Sequence, residues 1–253
     1  QRMYMVTELA CGGSLEIKQG THMKKIMKTQ AATSDMKMPF DGMQATCWAL
    51  QIAAGMSHIH SRYFVHRDLK PHNILLNDSG EQGNAIICDL GTAKNMTPGA
   101  INFERAKNEQ LEYDPEAAPN MTTMTGTPMY MAPEVFKSKV YTSAVDVWSY
   151  GVLLVRLFTL ESPYPQHTTS AQLIKGVGKN EMRPTDVERS MLPHPEIKDV
   201  IDGCLKFEAS ERLTFVEIEK IMSKVLAQME SERNEGGVGN IALLKLLSQH
   251  RET

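Results

Sequence analysis

The sequence predicts a mostly helical α+β domain, and three patterns carry this prediction. From Asp41 to Ser61, apolar residues recur at intervals of three and four, which indicates a helix packed on a core. The stretch from Ser143 to Leu160 is apolar on most sides, as a central buried helix would be. Two short apolar runs, Ile74 to Leu76 and Ala85 to Cys88, flank turn-forming residues and predict a hairpin.

Length and composition indicate a soluble globular protein of one or two domains. The chain has 253 residues, of which 42% are hydrophobic and 23% are charged. Lysine and arginine (27) nearly balance aspartate and glutamate (30), so no overall field attracts nucleic acid or an anionic membrane. The most apolar stretch, Gly151 to Leu160, is interrupted by Arg156 and is shorter than the roughly 18 residues of a membrane span. We therefore expect no nucleic-acid partner and no membrane span.

Cysteine usage indicates a reducing compartment. The cysteines form no Cys-x-x-Cys pair and are too few for a disulfide framework. They are Cys11, Cys47, Cys88 and Cys204. We therefore expect the protein in the cytoplasm, with the nucleus as the alternative.

The first part of the chain combines a strand, a loop and the first helix. Met3 to Leu9 has the pattern of a short strand, and Cys11 to Ser14 has the composition of a loop. Asp41 is the expected N-cap of the helix that reaches Ser61. From Asn95 to Asn120 the sequence is polar and lacks periodicity, which indicates a long mobile loop.

The second half of the chain is helical in pattern. After the central helix, three further helices are predicted, separated by proline-rich joints. They cover Ala171 to Gly176, Glu196 to Leu205, and Phe215 to Met229. The tail has a Gly236-Gly237 break, followed by an amphipathic piece from Ile241 to Leu247.

The predicted hairpin brings together residues that are distant in sequence. In an antiparallel pair, the residue before the first strand and the residue after the second lie at the same end. Asn73 and Asp89 are therefore expected side by side, and their oxygens are hard ligands suited to Mg²⁺. Asp68 lies in the same loop and could accept a proton, while Lys70 adds a positive charge that could face a transferred phosphate.

Taken singly, these residues have ordinary explanations as turn formers or as a solvated charged pair. The order of the motifs favours a shared function instead. His66 to Asn73, Asp89 to Gly91, and Ala132 to Glu134 match the catalytic-loop, metal-binding and activation-segment motifs of protein kinases. From Met3 to about Ala227 the sequence resembles the C-terminal lobe of a eukaryotic-type protein kinase. The resemblance implies an α+β, mostly α fold with small β hairpins and a hinge strand.

The resemblance also implies an activity. A serine/threonine protein kinase uses ATP and Mg²⁺ and transfers the γ-phosphate to Ser/Thr hydroxyls of a protein substrate. Asp68 would be the catalytic base, and Lys70 would steady the γ-phosphate. Asn73 and Asp89 would bind Mg²⁺. The Asp-Leu-Lys-Pro-x-Asn form of the loop is typical of the serine/threonine type.

The nucleotide would lie against the predicted hinge. In this resemblance Thr7 is the gatekeeper, and the backbone groups of Glu8 and Ala10 would hydrogen-bond adenine. Leu75 would form the apolar floor beneath the base. Ser14 lies where the family often contacts ribose.

Three more residues resemble structural supports of the family. Asp146, two residues before Trp148, resembles the buried aspartate that holds the catalytic-loop backbone. Glu134 resembles the acidic partner of a buried ion pair whose arginine would be Arg212. Removing one partner of such a pair costs about 3–5 kcal/mol, because the other charge stays buried without compensation.

The activation segment would run over residues 89–134, with an insertion at about 95–120. In this family, an arginine next to the catalytic aspartate, here Arg67, is associated with activation by phosphorylation of that segment. Three threonines are the candidate sites for an upstream or trans-acting kinase, although a solvated threonine cluster is the alternative explanation. They are Thr122, Thr123 and Thr125. Thr127 would contact the catalytic residues and shape the substrate site.

The resemblance divides the chain into a hinge strand and linker (1–14), a C-lobe (15–229) and a tail (230–253). No glycine-rich loop and no strand lysine precede Met3, so two hypotheses follow. In the first, the start at Gln1 marks part of an active catalytic domain, which alone would be weak or inactive. In the second, the chain is a pseudokinase-like scaffold or binding module. Retention of all the metal and catalytic-loop residues favours the first hypothesis.

Two smaller points complete the interpretation. The sequences from Gly126 to Glu134 and from Tyr141 to Leu160 favour the tyrosine-kinase-like group of serine/threonine kinases. His58 and His60 are two positions apart on a predicted helix and point to different faces, which argues against a zinc site.

Overall fold

The structure is a computed structural model that describes residues 9–21, 40–78, 83–95, 128–137 and 142–235. Helices are the main elements among these residues. They are α1 (Gly42–Ser61), α2 (Ala144–Thr159), α3 (Ser170–Gly178), α4 (Glu196–Cys204) and α5 (Phe215–Glu235). Residues 15–21 are helical as well, and short 3-10 turns link several elements. The predicted mostly helical α+β fold is confirmed.

Two small antiparallel sheets lie among the described residues. One joins β2 (Ile74–Leu76) to β3 (Ala85–Ile87), with Ile74 opposite Ile87, as the hairpin prediction requires. The other joins β1 (Phe64–Val65) to β4 (Lys94–Asn95). The sequence does not predict this second sheet, because strands of two residues are too short to show an alternating pattern.

Helix α1 begins and packs as its sequence predicts. The Asp41 carboxylate accepts a hydrogen bond from the backbone N of Met43 at 3.0 Å, which makes Asp41 the N-cap. In the apolar stripe of the helix, Ile52 and Met56 are fully buried, and the helix packs mainly against α5. Trp48 is buried too, and its indole N–H donates to the carbonyl of Gly83 at 2.6 Å.

Helix α2 is the central element of the core. Nearly all of its residues from Val145 to Phe158 are buried, so α2 contacts other parts of the protein on almost every side. Helix α4 crosses it closely at Gly151, where an added Cβ would lie 2.8 Å from the Cβ of Cys204. Glycine is therefore required by the packing at this crossing.

The helix boundaries differ from the predicted ones mainly at the end of the described chain. Helix α5 continues to Glu235, six residues beyond the predicted end at Met229. The apolar stripe fades there, but the following residues are polar helix formers, and no breaker occurs before Gly236. Part of the predicted tail thus belongs to the last helix.

Several predicted features lie outside the described residues. These are most of the strand before Leu9, most of the polar stretch from Asn95 to Asn120, and the tail beyond Glu235. Among the helices that the structure describes, none is long and apolar enough to span a membrane.

The crossing of α2 and α4 gives a stability prediction. Gly151→Ala should lower the free energy of unfolding by about 1–3 kcal/mol, because the new methyl group overlaps the Cys204 side chain. Gly20→Ala is the matched control, since its Cβ would meet nothing within 4 Å. Urea unfolding of both variants measures the difference. A Gly151→Ala variant as stable as the wild type would contradict the close crossing.

Candidate active site

The catalytic loop follows β1 and is anchored to the start of α2. The carboxylate of Asp146 is fully buried. Its Oδ2 accepts the backbone N–H of His66, and its Oδ1 accepts that of Arg67, both at 2.8 Å. Hydrogen bonds to an ionised acceptor are shorter and stronger than neutral ones. The backbone immediately before Asp68 is therefore fixed relative to the most buried helix of the protein.

His66 links the catalytic loop to the end of β3. Its Nδ1 accepts the backbone N–H of Asp68 at 3.3 Å. Its Nε2 lies 3.1 Å from the carbonyl O of Cys88, to which it donates. Because Cys88 directly precedes Asp89, this buried side chain connects the two motifs that the sequence analysis singles out.

The side chains of Asp68, Lys70 and Asn73 converge within one loop. Lys70 Nζ lies 2.7 Å from Asp68 Oδ2. Asn73 Nδ2 donates to the same carboxylate oxygen at 3.0 Å and to the backbone O of Asp68 at 2.8 Å. Both amide hydrogens of Asn73 therefore point at Asp68. Its Oδ1 remains as the atom that could bind a cation.

Asp89 lies next to this group at the end of the hairpin. The backbone N–H of Cys88 donates to the O of Asn73 at 2.9 Å, so Asn73 faces Cys88, and Asp89 is one residue further along. Asp89 is exposed and has a left-handed backbone, with φ 62°. Its Oδ1 accepts the N–H of Gly91 at 3.3 Å.

The donor set of Asn73 and Asp89 fits Mg²⁺. An amide oxygen and a carboxylate are hard ligands, and Mg²⁺ is usually held by one or two protein groups together with water and phosphates. Within the described residues, no group of three or more His, Cys, Asp or Glu side chains could hold a metal ion. The described residues therefore form no metal site with three or more such ligands.

The thiol of Cys88 lies beside this pair. Partial burial, and then the negative charge of Asp89, raise the pKa of the Cys88 thiol above its usual range. The thiol is therefore protonated at neutral pH.

Two predicted nucleotide-binding residues, Ser14 and Leu75, lie together at β2, and a third, Ala10, begins the turn before Ser14. Ser14 forms an antiparallel bridge with Leu75, which is half-buried. The backbone N–H of Gly12 donates to Leu76 O, and the N–H of Leu76 donates to Gly13 O, both at 2.9 Å. An added Cβ at Gly12 would lie 2.1 Å from Asp78 O.

The other predicted nucleotide-binding residues lie earlier in the chain. Ala10 is half-buried at the start of this turn, while Thr7 and Glu8 lie outside the described residues. The Ser14 hydroxyl also accepts the N–H of Ile17 at 3.4 Å, as a helix N-cap does.

Arg67 reaches the segment that follows Asp89. Its Nε donates to the carbonyl O of Thr92 at 2.5 Å, and the Thr92 hydroxyl donates to the carbonyl O of His66 at 2.9 Å. The sequence gives no sign of this contact of Thr92, because nothing in the local pattern shows it. The predicted phosphosites and Thr127 lie outside the described residues; they are Thr122, Thr123, Thr125 and Thr127.

The ion pair of Glu134 and Arg212 is present and nearly buried. Two parallel bonds join the side chains, at 2.7 and 2.8 Å, and the arginine side chain has no exposed surface. The remaining N–H groups of Arg212 donate to the backbone carbonyls of Ala144, Lys206 and Phe207. All five guanidinium hydrogens are therefore used. The pair ties the 3-10 turn Pro133–Phe136 to the start of α2.

Comparison with known proteins identifies the family. The protein kinase domain family matches residues 1–225, so the chain belongs to that family. A mitogen-activated protein kinase kinase kinase 7-like protein of Drosophila melanogaster is 33% identical over 206 residues, which is 79% of this chain and 46% of that protein. The serine/threonine-protein kinase Nek5 of Mus musculus is 30% identical over 174 residues, which is 69% of this chain and 22% of that protein.

A further relative is the serine/threonine-protein kinase WNK3 of Mus musculus, 29% identical over 218 residues, which is 85% of this chain and 10% of that protein. The chain thus spans less than half the length of each of these relatives. The predicted resemblance to a protein kinase of the serine/threonine type is confirmed. The division of the chain into hinge, lobe and tail stays a prediction.

The buried ion pair gives the second stability prediction. Arg212→Ala should lower the free energy of unfolding by about 3–5 kcal/mol, because Glu134 and three carbonyls lose their partner. Arg189→Ala removes the arginine of an exposed pair with Asp199, which solvent screens, and should leave stability nearly unchanged. Guanidinium unfolding measures both variants. If both variants lost the same free energy of unfolding, the buried pair would contribute no more to stability than the exposed pair, which would contradict this prediction.

Proposed function

We propose that the chain is part of a serine/threonine protein kinase that transfers the γ-phosphate of ATP to Ser/Thr hydroxyls of a protein substrate. One observation carries the proposal: Lys70 Nζ and Asn73 Nδ2 both lie within 3.0 Å of the Asp68 carboxylate. A carboxylate, a cation and an amide held in one rigid loop suit a reaction that depends on positioning and charge neutralisation. Membership of the family supports this proposal.

Each residue of the loop has a distinct task in this proposal. Asp68 orients the substrate hydroxyl and accepts its proton as the phosphate transfers. Lys70 places its positive charge beside the γ-phosphate, where negative charge must be stabilised. Asn73 keeps the Asp68 carboxylate in position through its Nδ2 hydrogens.

Asn73 Oδ1 and the Asp89 carboxylate would hold Mg²⁺. When bound, the cation neutralises charge on the phosphate oxygens. The adenosine part of ATP would lie against the turn before residue 15, with Leu75 beneath the base and Ser14 near the ribose. The backbone groups of Glu8 and Ala10 would hydrogen-bond adenine.

The wider setting of the protein forms part of the proposal. Four free cysteines fit a reducing compartment, so we place the protein in the cytoplasm, with the nucleus as the alternative. The tyrosine-kinase-like group remains the subgroup that we propose from the sequence.

Phosphotransfer gives the most direct functional prediction. In the longest natural protein that contains this chain, Asp68→Asn should lower the rate of phosphorylation of a Ser/Thr peptide by at least about a hundredfold, because the base is lost. Asp186→Asn changes an aspartate whose side chain is 88% exposed and should leave the rate unchanged. Transfer of labelled phosphate from Mg-ATP is the measurement.

Two outcomes of this assay would contradict the proposal. A wild-type protein that transfers no phosphate would remove the enzyme hypothesis and favour the scaffold hypothesis. An Asp68→Asn variant with wild-type activity would remove Asp68 from the role of base.

Activation by phosphorylation is a separate part of the proposal. Phosphate on Thr122, Thr123 or Thr125, added by an upstream or trans-acting kinase, would supply an anion that Arg67 can bind. Replacement of the three threonines by alanine should lower activity about tenfold, because the anion that orders the segment is lost. Phosphatase-treated wild type is the control and should match the triple variant. Mass spectrometry that finds no phosphate on a fully active protein would contradict this mechanism.

A further inference from the structure

A groove lies between the start of α1 and the last turns of α5. Residues from both helices line it, together with Pro193 from the segment before α4. Its volume is about 400 Å³, which is within the range of roughly 300–1,000 Å³ of protein pockets that hold a ligand. The catalytic loop follows the opposite end of α1, about 30 Å away for a helix of this length. The groove is therefore separate from the candidate active site.

The floor of the groove is apolar. Met43 from α1 and Met229 from α5 are half-buried and pack against the main hydrophobic core. Pro193 is half-buried beside them. Methionine side chains are unbranched and flexible, so they adapt to apolar partners of different shapes. A ligand that fills this floor would extend the core outward between the two helices.

The rim of the groove is charged. The exposed side chains of Asp41, Glu232 and Arg233 lie around the methionines. Two carboxylates and one guanidinium give the rim one net negative charge. The groove therefore suits a ligand that combines an apolar face with a small excess of positive charge.

The tail from Gly236, which lies outside the described residues, has a sequence of this kind. Four leucines within five positions repeat at intervals of three and four, and in a helix they share one face. They are Leu243, Leu244, Leu246 and Leu247. Lys245 and Ser248 fall on the opposite face, and Lys245, Arg251 and Glu252 give one net positive charge. A helix this short is not stable alone in water, so its leucine face needs a partner surface.

The chain itself brings the tail to the groove. Arg233 on the rim lies only three residues before Gly236. Gly236 and Gly237 allow the backbone to reverse direction, and the five residues before Ile241 can span about 17 Å. A segment on such a short tether has an effective concentration of about a millimolar or more. Binding within one chain is therefore favoured over binding of a second copy.

We propose that the groove binds the protein's own tail, with the leucine face of the segment from Ile241 to Leu247 packed over Met43 and Met229. The bound tail joins the start of α1 to the end of α5, at the end of α1 that lies away from the catalytic loop. This inference is independent of the proposed phosphotransfer, because it depends only on the groove and on the sequence that follows α5.

Oxidation of methionine by hydrogen peroxide tests whether the tail covers the groove. In the full chain, a Leu244→Asn/Leu247→Asn variant should form sulfoxide at Met229 at least about five times faster than the wild type, because the sulfur loses its cover. The matched control is Ser248→Asn/Gln249→Asn, which changes the opposite face and should leave the rate unchanged. Peptide mass spectrometry measures the rates.

Met222 provides the internal reference, because it is fully buried on the same helix. Its oxidation rate should be the same in all variants. Equal rates at Met229 in the wild type and in the leucine variant would overturn the proposal. A rise of the same size at Met222 would also overturn it, because the leucine variant would then open the core and not the groove.

A change in the rim tests the place of binding. Glu232→Lys makes the rim positive and should raise the oxidation rate of Met229 about twofold or more, because the tail is positive too. Glu208→Lys makes the same charge change at another exposed glutamate and should have no effect. An unchanged rate in Glu232→Lys would overturn the assignment of the tail to this groove.

Dilution distinguishes the tail of the same chain from a second copy. Protection of Met229 should be equal at about 1 µM and about 100 µM protein, because binding within one chain does not depend on concentration. Protection that is lost on dilution would assign the groove to a second copy and overturn the proposal.

Discussion

The geometry of the catalytic loop depends on one buried carboxylate. Asp146 stands at the start of α2, and its two oxygens accept the amides that come directly before Asp68. Because α2 is buried on nearly every side, this contact places the loop relative to the central helix of the core. Lys70 and Asn73 can then converge on Asp68 without help from the exposed segments around them.

The same end of α2 also holds Glu134, the last residue of the predicted activation segment. Arg212 binds Glu134 from that segment and the carbonyl of Ala144, two residues before Asp146. The loop that carries Asp68 and the turn that ends the predicted activation segment are therefore both bound to the start of α2. A buried ion pair is weak support for stability in itself, but the loss of one partner is costly. We infer that the pair chiefly holds these two segments in register.

The sequence predicts the long elements well, because these depend on local patterns. The roles that it assigns to the site residues stay predictions, although the structure brings Asp68, Lys70 and Asn73 together. The helix from Asp41 and the hairpin that brings Asn73 near Asp89 follow from periodicity and turn residues. The contacts of Thr92 with His66 and of His60 with Asp146 do not follow, since each joins residues 26 or 86 positions apart through a single hydrogen bond. For His60 the sequence shows only that it faces differently from His58. Its partner is set by the packing of three helices.

Kinetics of an Asp146→Asn variant would show whether the Asp146 carboxylate holds the catalytic loop. The amide replaces one acceptor oxygen by a donor and removes the charge, so at least one of the two loop amides loses its partner. For the longest natural protein that contains the chain, we predict a fall in kcat of at least about tenfold, with KM for Mg-ATP little changed. A variant with wild-type kcat would show that the catalytic loop holds its geometry without the Asp146 carboxylate, and would contradict the account.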